Sequence, residues 1–305
     1  MKQLRMIVTG KDGQVVQSLL ERAAENGRFE VVALGRPSLD LSVPDSIHAI
    51  ISAAKPNVIV SAAAYTAVDQ AENEETAATV INGVASGKIA EAASVLSIPI
   101  IHLSTDYVFD GNKDIPYVET DPVAPVSAYG RSKLAGEQAI AAATANYAIL
   151  RTAWVYSPFG KNFLKTMLRL AEARDSINVV DDQIGNPTSA FDIADAVFAV
   201  ASNLVDNDNA ALRGIFHMSG SGEASWADFA AEIFAQSALN GGPSAEVVGI
   251  PASSYPTPAK RPANSRLNCS LLQDRHDVRL PDWKTSTAHV VARLTLKHFN
   301  DGTKL

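Results

Sequence analysis

The 305-residue chain carries a single cysteine, Cys269. That count excludes an intramolecular disulfide and fits a reducing compartment, so the cytoplasm is the expected location. No apolar stretch approaches the ~18 residues of a membrane span, and the N-terminus lacks a signal-peptide pattern. A basic run is missing too. With 26 Lys and Arg against 33 Asp and Glu the net charge is −7, which argues against nucleic acid and acidic membrane surfaces as partners. Internal repeats and low-complexity tracts are absent. The apolar fraction of 47% is that of an ordinary globular protein, and the length suffices for one large domain or two intimate ones.

What is present begins with a strand, a glycine turn and a helix. Leu4-Arg-Met-Ile-Val-Thr9 is short and apolar, and Gly10-Lys-Asp-Gly-Gln-Val-Val16 follows it at once. Val15 to Glu25 then reads as a helix with Val15, Val16, Leu19, Leu20 and Ala23 on one side. This arrangement aims backbone N–H groups and a helix N-terminus at a pyrophosphate. Gly10, Asp12, Gly13, Gln14 and Val15 are the expected contacts. Val16 fills the third glycine position, which serves helix–strand packing, so the phosphate cradle survives with the helix slightly further off. The structural alternative is an ordinary strand-to-helix turn.

A second strand, Phe29 to Leu34, runs into Gly35-Arg36 with no acid until Asp40. The carboxylate with which an NAD site holds the ribose is therefore missing, and the Arg36 guanidinium suits a 2′-phosphate. NADPH is the expected cofactor, with NADH tolerated, and Arg36, Asp40 and Leu41 are expected around its ribose. An exposed loop arginine is the alternative.

Alternation continues with a helix over Ile47 to Ala54, a strand over Val58 to Ala64, a helix over Thr76 to Leu96 and a strand ending at Thr105. Ala62, Ala63, Ala64 and Tyr65 are small or flat enough to meet the cofactor. Asn82 falls mid-helix, as a solvated or kink-stabilising amide. Tyr147 to Tyr156 reads as a further strand. The pattern predicts an α/β fold with a doubly wound, parallel, Rossmann-like sheet. Beyond it come loops rich in Pro, Gly and Asn, with helices over Phe163 to Arg174, Ala190 to Leu204 and Trp226 to Gln236. These give a smaller interleaved α/β substrate-binding lobe. Residues 1–156 and 188–217 are assigned to the dinucleotide domain, and 157–187 and 218–305 to the lobe.

The chemical centre is Tyr129-Gly-Arg-Ser-Lys133. Four residues apart on a helix, Tyr129 and Lys133 share one face. A phenol is a poor donor near neutrality, and an ammonium beside it lowers its pKa, making proton transfer to a carbonyl oxygen feasible. Thr105, at the end of its strand, is placed to bond that carbonyl, because ligands bind at the carboxyl ends of strands in open α/β sheets. A chance pair on a solvated helix is the alternative reading of any lone Tyr-x-x-x-Lys.

Together the pieces resemble the extended short-chain dehydrogenase/reductase superfamily, and most of all its dTDP-4-dehydrorhamnose reductase branch. They are Gly10-Lys-Asp-Gly-Gln-Val15, Ala62-Ala-Ala-Tyr-Thr-Ala-Val-Asp69, Leu103-Ser-Thr-Asp-Tyr-Val-Phe-Asp-Gly111, Tyr129-Gly-Arg-Ser-Lys-Leu-Ala-Gly-Glu137, Arg151-Thr-Ala-Trp-Val-Tyr156, Asn162-Phe-Leu-Lys-Thr-Met-Leu168, Asp182-Gln-Ile-Gly-Asn-Pro-Thr188 and Arg261-Pro-Ala-Asn-Ser265. The resemblance implies NAD(P)H-dependent reduction of the 4-keto group of dTDP-6-deoxy-L-lyxo-4-hexulose to dTDP-L-rhamnose. It makes Tyr129 the general acid, Lys133 its tuner and a ribose ligand, and Thr105 the residue that orients the sugar. Asp106, Tyr107, Trp154, Asn162, Arg261 and Asn264 would bind the substrate; Trp154 as a core aromatic and Arg261 as a surface ion pair are the alternatives. Ser61 stands where the family often has Asn. Ser18 stands where some members carry a Glu that helps bind Mg²⁺ between two subunits, so no metal and a monomer or weak homodimer are expected.

Two rivals remain in view. A non-catalytic cofactor-binding regulatory subunit would have lost Tyr129, Lys133 or the sugar-pocket residues. A nucleotide-sugar epimerase on the same fold would show an intact glycine pattern and an acid after the second strand. The chain meets neither condition.

Overall fold

The computed structural model describes residues 3–301; residues 1–2 and 302–305, at the ends of the expected domains, lie outside the described residues. Strands β1 (Leu4–Thr9), β2 (Phe29–Leu34), β3 (Val58–Ser61), β4 (Ile100–Thr105) and β5 (Tyr147–Thr152) join Gly214–His217 in one six-stranded sheet. Its order is Gly214–His217, β5, β4, β3, β1, β2, and every neighbouring pair is parallel. This is the doubly wound sheet expected from the alternation of strands and helices.

Period-two alternation sends successive strand residues to opposite faces. On one face Val58, Val60, Ile101, Leu103, Ala148 and Leu150 pack with helix α1 (Gln14–Asn26) and the helix Ala190–Asp206. On the other, Ile59, Ile100 and Ile149 pack with the helices Ile47–Ala54, Ala85–Val95 and Ala128–Ala143. A third core joins the helices Phe163–Ala171, Trp226–Leu239 and Trp283–Asp301 through Leu164, Leu168, Phe229, Ile233, Val291 and Leu294. A parallel pair of strands, Ser176–Val180 with Glu246–Ile250, flanks it. Within 218–305, Met218, Leu272 of the helix Ser270–His276, Val278 and Leu280 pack in the first core instead of the third.

Three elements differ from the sequence expectation. The strand at Val58 stops at Ser61, because the N–H groups of Ala62 and Ala63 donate to Thr9 Oγ1, both at 3.0 Å, instead of continuing the ladder. The helix expected over Thr76 to Leu96 is three pieces, with a π turn at Val80–Val84. Asn82 sits in that turn at 1% exposure, so it is not solvated. Its amide closes a bracket instead: Oδ1 accepts from Tyr65 N at 2.7 Å, and Nδ2 donates to Tyr65 O and Ser132 Oγ. Finally, the strand expected over Tyr147 to Tyr156 breaks after Thr152, with Trp154 at φ 47°. Val155–Tyr156 leaves the sheet to pair with Thr188–Ser189.

Candidate active site

One cavity of about 710 Å³ runs along the carboxyl ends of β1, β3, β4 and β5. At one end stand Gly10, Asp12, Gly13, Gln14, Val15 and Val16; Ala62, Ala63 and Ala64 form its middle. At the other end are Thr105, Asp106, Tyr107, Tyr129, Lys133 and Trp154. The glycine turn and the Tyr–Lys pair, 119 positions apart by residues 10 and 129, thus share one space.

The glycine end fits a dinucleotide phosphate. Gly10 has φ +99°, and a Cβ there would meet the Ala63 Cβ at 3.3 Å, so only glycine keeps the turn tight against the alanine run. The N-cap of α1, Gly13, supplies no side-chain cap, and the first turn holds no acid. Its opening N–H groups are thereby left for an anion. Val16, in the third glycine position, is buried and packs against both Gly10 and Gly13.

The helix Ala128–Ala143 carries the chemistry. Ser127 caps it by accepting from Gly130 N at 3.1 Å. A Cβ on Gly130 would fall 2.2 Å from Tyr107 O, so glycine lets the helix start lie against the turn that follows β4. The rings of Tyr107 and Tyr129 consequently meet edge to face at 5.9 Å. Thr105 Oγ1 donates to Asp106 Oδ1 at 2.9 Å and accepts from Tyr107 N. Burial pushes the Tyr129 hydroxyl up to about 12; the Asp106 charge adds to this and the Thr105 hydroxyl beside it opposes it.

Lys133 departs from expectation. Its ammonium, 2% exposed, donates to Leu103 O at 2.6 Å and meets His102 Nε2 at 3.2 Å, and it is not among the causes that shift Tyr129. The reason is that a buried ammonium takes the strong acceptor within reach, here a carbonyl of β4. Burial brings Lys133 itself down to about 8, with the Glu137 charge opposing. Asp106 is 2% exposed, and burial raises its carboxyl to about 7, with the Thr105 and Ser265 hydroxyls opposing.

Other expected residues divide into two groups. Trp154 lines the cavity and stacks face to face on Trp226, with centroids 3.5 Å apart. Asn162 also reaches the wall, but its side chain is engaged: Oδ1 caps the helix Phe163–Ala171 through Lys165 N, and Nδ2 donates to Gln14 Oε1. Outside the wall lie Arg36, Asp40, Leu41, Tyr65, Arg261 and Asn264. Arg36 is exposed, whereas Leu41 is buried in the core under β3. The Asp40 carboxyl is held below its ordinary range chiefly by the Ser42 backbone N–H, with the Ser42 hydroxyl and then Arg36 contributing. Tyr65 Oη donates to Glu74 at 2.8 Å. Arg261 forms the ion-pair alternative, donating from Nη1 and Nη2 to the two oxygens of Asp69 at 3.1 and 2.8 Å. Asn264 ties the loop at Ile115 to Arg266 through both ends of its amide.

Ser18 is fully buried, its hydroxyl donating to Gln14 O. Glu21 and Glu25, carboxylates of the same helix, pair with Arg293 and Arg22. Trp226, which lines the cavity, and His102, which meets Lys133 beneath it, are not among the expected site residues. The signal for His102 was its position, a lone imidazole inside an otherwise apolar strand run; Trp226 had none, since its partner Trp154 lies 72 residues away by residues 154 and 226.

The family model described as the RmlD substrate binding domain matches residues 4–296. A Sinorhizobium fredii protein named dTDP-4-dehydrorhamnose reductase is 51% identical over 96% of this chain and 99% of its own. A crystal structure of a dTDP-4-dehydrorhamnose reductase from Clostridium acetobutylicum superposes with a TM-score of 0.88 at 35% identity, covering 95% of this chain and 99% of that one. The Bacillus anthracis reductase, solved in complex with NADP, gives 0.87 at 32%, covering 96% and 100%. Matched along nearly its whole length, this chain belongs to the dTDP-4-dehydrorhamnose reductase family of extended short-chain dehydrogenase/reductases.

Proposed function

We propose that this chain reduces the 4-keto group of dTDP-6-deoxy-L-lyxo-4-hexulose to give dTDP-L-rhamnose, using NADPH and accepting NADH. The observation that carries the reading is the single cavity joining the Gly10–Val15 turn to Thr105, Tyr129 and Lys133. The cofactor, when bound, supplies the hydride. Gly10, Gly13 and the opening N–H groups of α1 hold its pyrophosphate, and Ala62, Ala63 and Ala64 let it lie close to the sheet. Tyr129 Oη–H gives its proton to the C4 oxygen as that atom gains charge. Lys133 binds the nicotinamide ribose with the ammonium donor that Leu103 O and His102 leave over.

Thr105, Asp106 and Tyr107 orient the sugar, and Trp154, seated on Trp226, forms its wall. The nucleotide end of the substrate falls to the lobe of residues 157–187 and 218–305, where Arg261 and Asn264 act by shaping the loop they hold. No step requires a metal. The protein works as a cytoplasmic monomer or weak homodimer, with neither nucleic acid nor membrane as partner; among the described residues no helix is long and apolar enough to cross a bilayer. An NADPH-oxidation assay against a panel of nucleotide 4-keto-6-deoxy sugars, with products identified by NMR, tests the reading. Oxidation with the dTDP-linked L-lyxo sugar and a rhamnosyl product is the expected result; inertness toward the whole panel would remove it.

A further inference from the structure

Beneath the site, Ser61 and His102, two buried side chains that the proposed mechanism does not use, form a line with Lys133. Ser61 ends β3, His102 lies beside it in β4, and the two are register partners. Their exposures are 1% each, and that of Lys133 is 2%. Ser61 Oγ is 3.0 Å from His102 Nδ1, and His102 Nε2 is 3.2 Å from Lys133 Nζ. An ammonium can only donate, so a charged Lys133 requires a lone pair on Nε2. The imidazole proton must then sit on Nδ1 and donate to Ser61 Oγ. Were the proton on Nε2, two donors would face each other between side chains that are only 1–2% exposed.

Residues of β4 alternate, so Ile100, His102 and Ser104 share the face turned to the helix Ala128–Ala143. That helix returns Lys133 to His102, Glu137 to Ser104, and Ile140 to the core containing Ile100. The imidazole is therefore held by both neighbours: the ammonium on the helix side requires the Nε2 lone pair, and the Ser61 hydroxyl on the β3 side accepts the Nδ1 proton. We propose that His102, oriented by Ser61, is a positioning residue that keeps the Lys133 side chain in place as an ammonium during the reduction. It acts through Lys133 and touches no reacting atom.

The charge balance around Lys133 supports this. Tyr129 and Glu137 lie on its own helix; His102 comes from β4, with Asp106 in the turn beyond it, and Arg151 of β5 takes up the Glu137 carboxylate. Burial and the ammonium next to it hold the His102 imidazole well below its ordinary range, so it stays neutral and keeps its acceptor. A hydrogen bond received by the charged form favours that form. Losing it would allow Lys133 to deprotonate at lower pH.

The inference rests on Lys133 working in the reduction, so one readout needs no turnover. In the full-length protein labelled with ¹⁵N-histidine, the His102 signals are assigned among six histidines by difference against His102→Gln. The expected result is a proton on Nδ1 and none on Nε2. A proton on Nε2 overturns the proposal whatever the enzyme's activity. In the kinetic arm, His102→Leu removes the acceptor. The alkaline limb of the kcat profile should move to lower pH by about one unit, the size of one lost hydrogen bond to a charged group. His102→Gln, whose amide oxygen reaches as far as Nε2, should recover most of that shift. If the leucine variant does not fold, Ser61→Ala carries the test, since it removes the acceptor of the Nδ1 proton, disfavours that tautomer and should shift the limb the same way. A limb unmoved in the folded variants, or moved equally by Leu and Gln, would leave His102 as a packing residue only.

Discussion

Arg151 of β5 grips Glu137 of the catalytic helix with two parallel hydrogen bonds, Nε to Oε1 at 2.9 Å and Nη2 to Oε2 at 2.7 Å. Both side chains are almost fully buried, and the Ser104 hydroxyl of β4 donates to the same carboxylate. The pair lies one helical turn beyond Lys133, so it fixes the helix that bears Lys133 and Tyr129 onto the two strands beneath the cavity. Truncating one partner of a buried pair strands the other charge, which costs about 3–5 kcal/mol. Arg151→Ala and Glu137→Ala should each lower the thermal midpoint by several degrees. In the double variant the losses should fall well short of additive. Additive losses, or single losses below about 1 kcal/mol, would show that the pair does not hold the helix.

Tyr129→Phe keeps the ring that meets Tyr107 but removes the proton donor. It should fold and bind cofactor as the wild type does, and lose about 10²–10⁴-fold in kcat. Turnover within about threefold of wild type would exclude Tyr129 as the acid. Lys133→Ala, by contrast, should also weaken cofactor binding, measured by fluorescence titration.

Asp106 makes a prediction about stability with a definite sign. Its carboxyl ordinarily titrates at 3.8, and burial raises it to about 7 in the folded protein. Between those values the folded state holds a proton that the unfolded chain has released, so this group's contribution makes stability fall as pH rises through the window. Asp106→Asn cannot ionise. Its thermal midpoint should change less between pH 4 and pH 7, and at pH 8 its unfolding free energy should exceed that of the wild type by on the order of 1–4 kcal/mol. Parallel midpoint curves for the two proteins would mean that Asp106 is already ionised in the fold.

Arg36 is exposed at the end of β2, and its charge acts on Asp40 alongside Ser42. A guanidinium there suits a 2′-phosphate, which NADH lacks. Arg36→Ala should raise the KM for NADPH and leave that for NADH nearly unchanged. Equal effects on both cofactors would assign the preference elsewhere.

The sequence by itself determined the sheet, the glycine turn and the Tyr129–Lys133 pair. Each is written in a local period: two for Met6–Val8 and Leu103–Thr105, nearly four for Tyr129–Lys133. β1 and β2 occupy the expected residues without shift. Tertiary structure alone decided where the polar groups spend their hydrogen bonds. Lys133 points to Leu103 O and His102 rather than to Tyr129, because β4 presents those acceptors to the helix face. Asn264 and Arg261 hold loops, since Ile115 and Asp69 reach them first across long stretches of chain, while Arg266, two residues on, takes the oxygen of the Asn264 amide. Trp154 leaves the strand line at φ 47° and lies on Trp226. A donor or acceptor in a motif states a capacity; its partner is fixed only when distant segments meet, and no local period records that meeting.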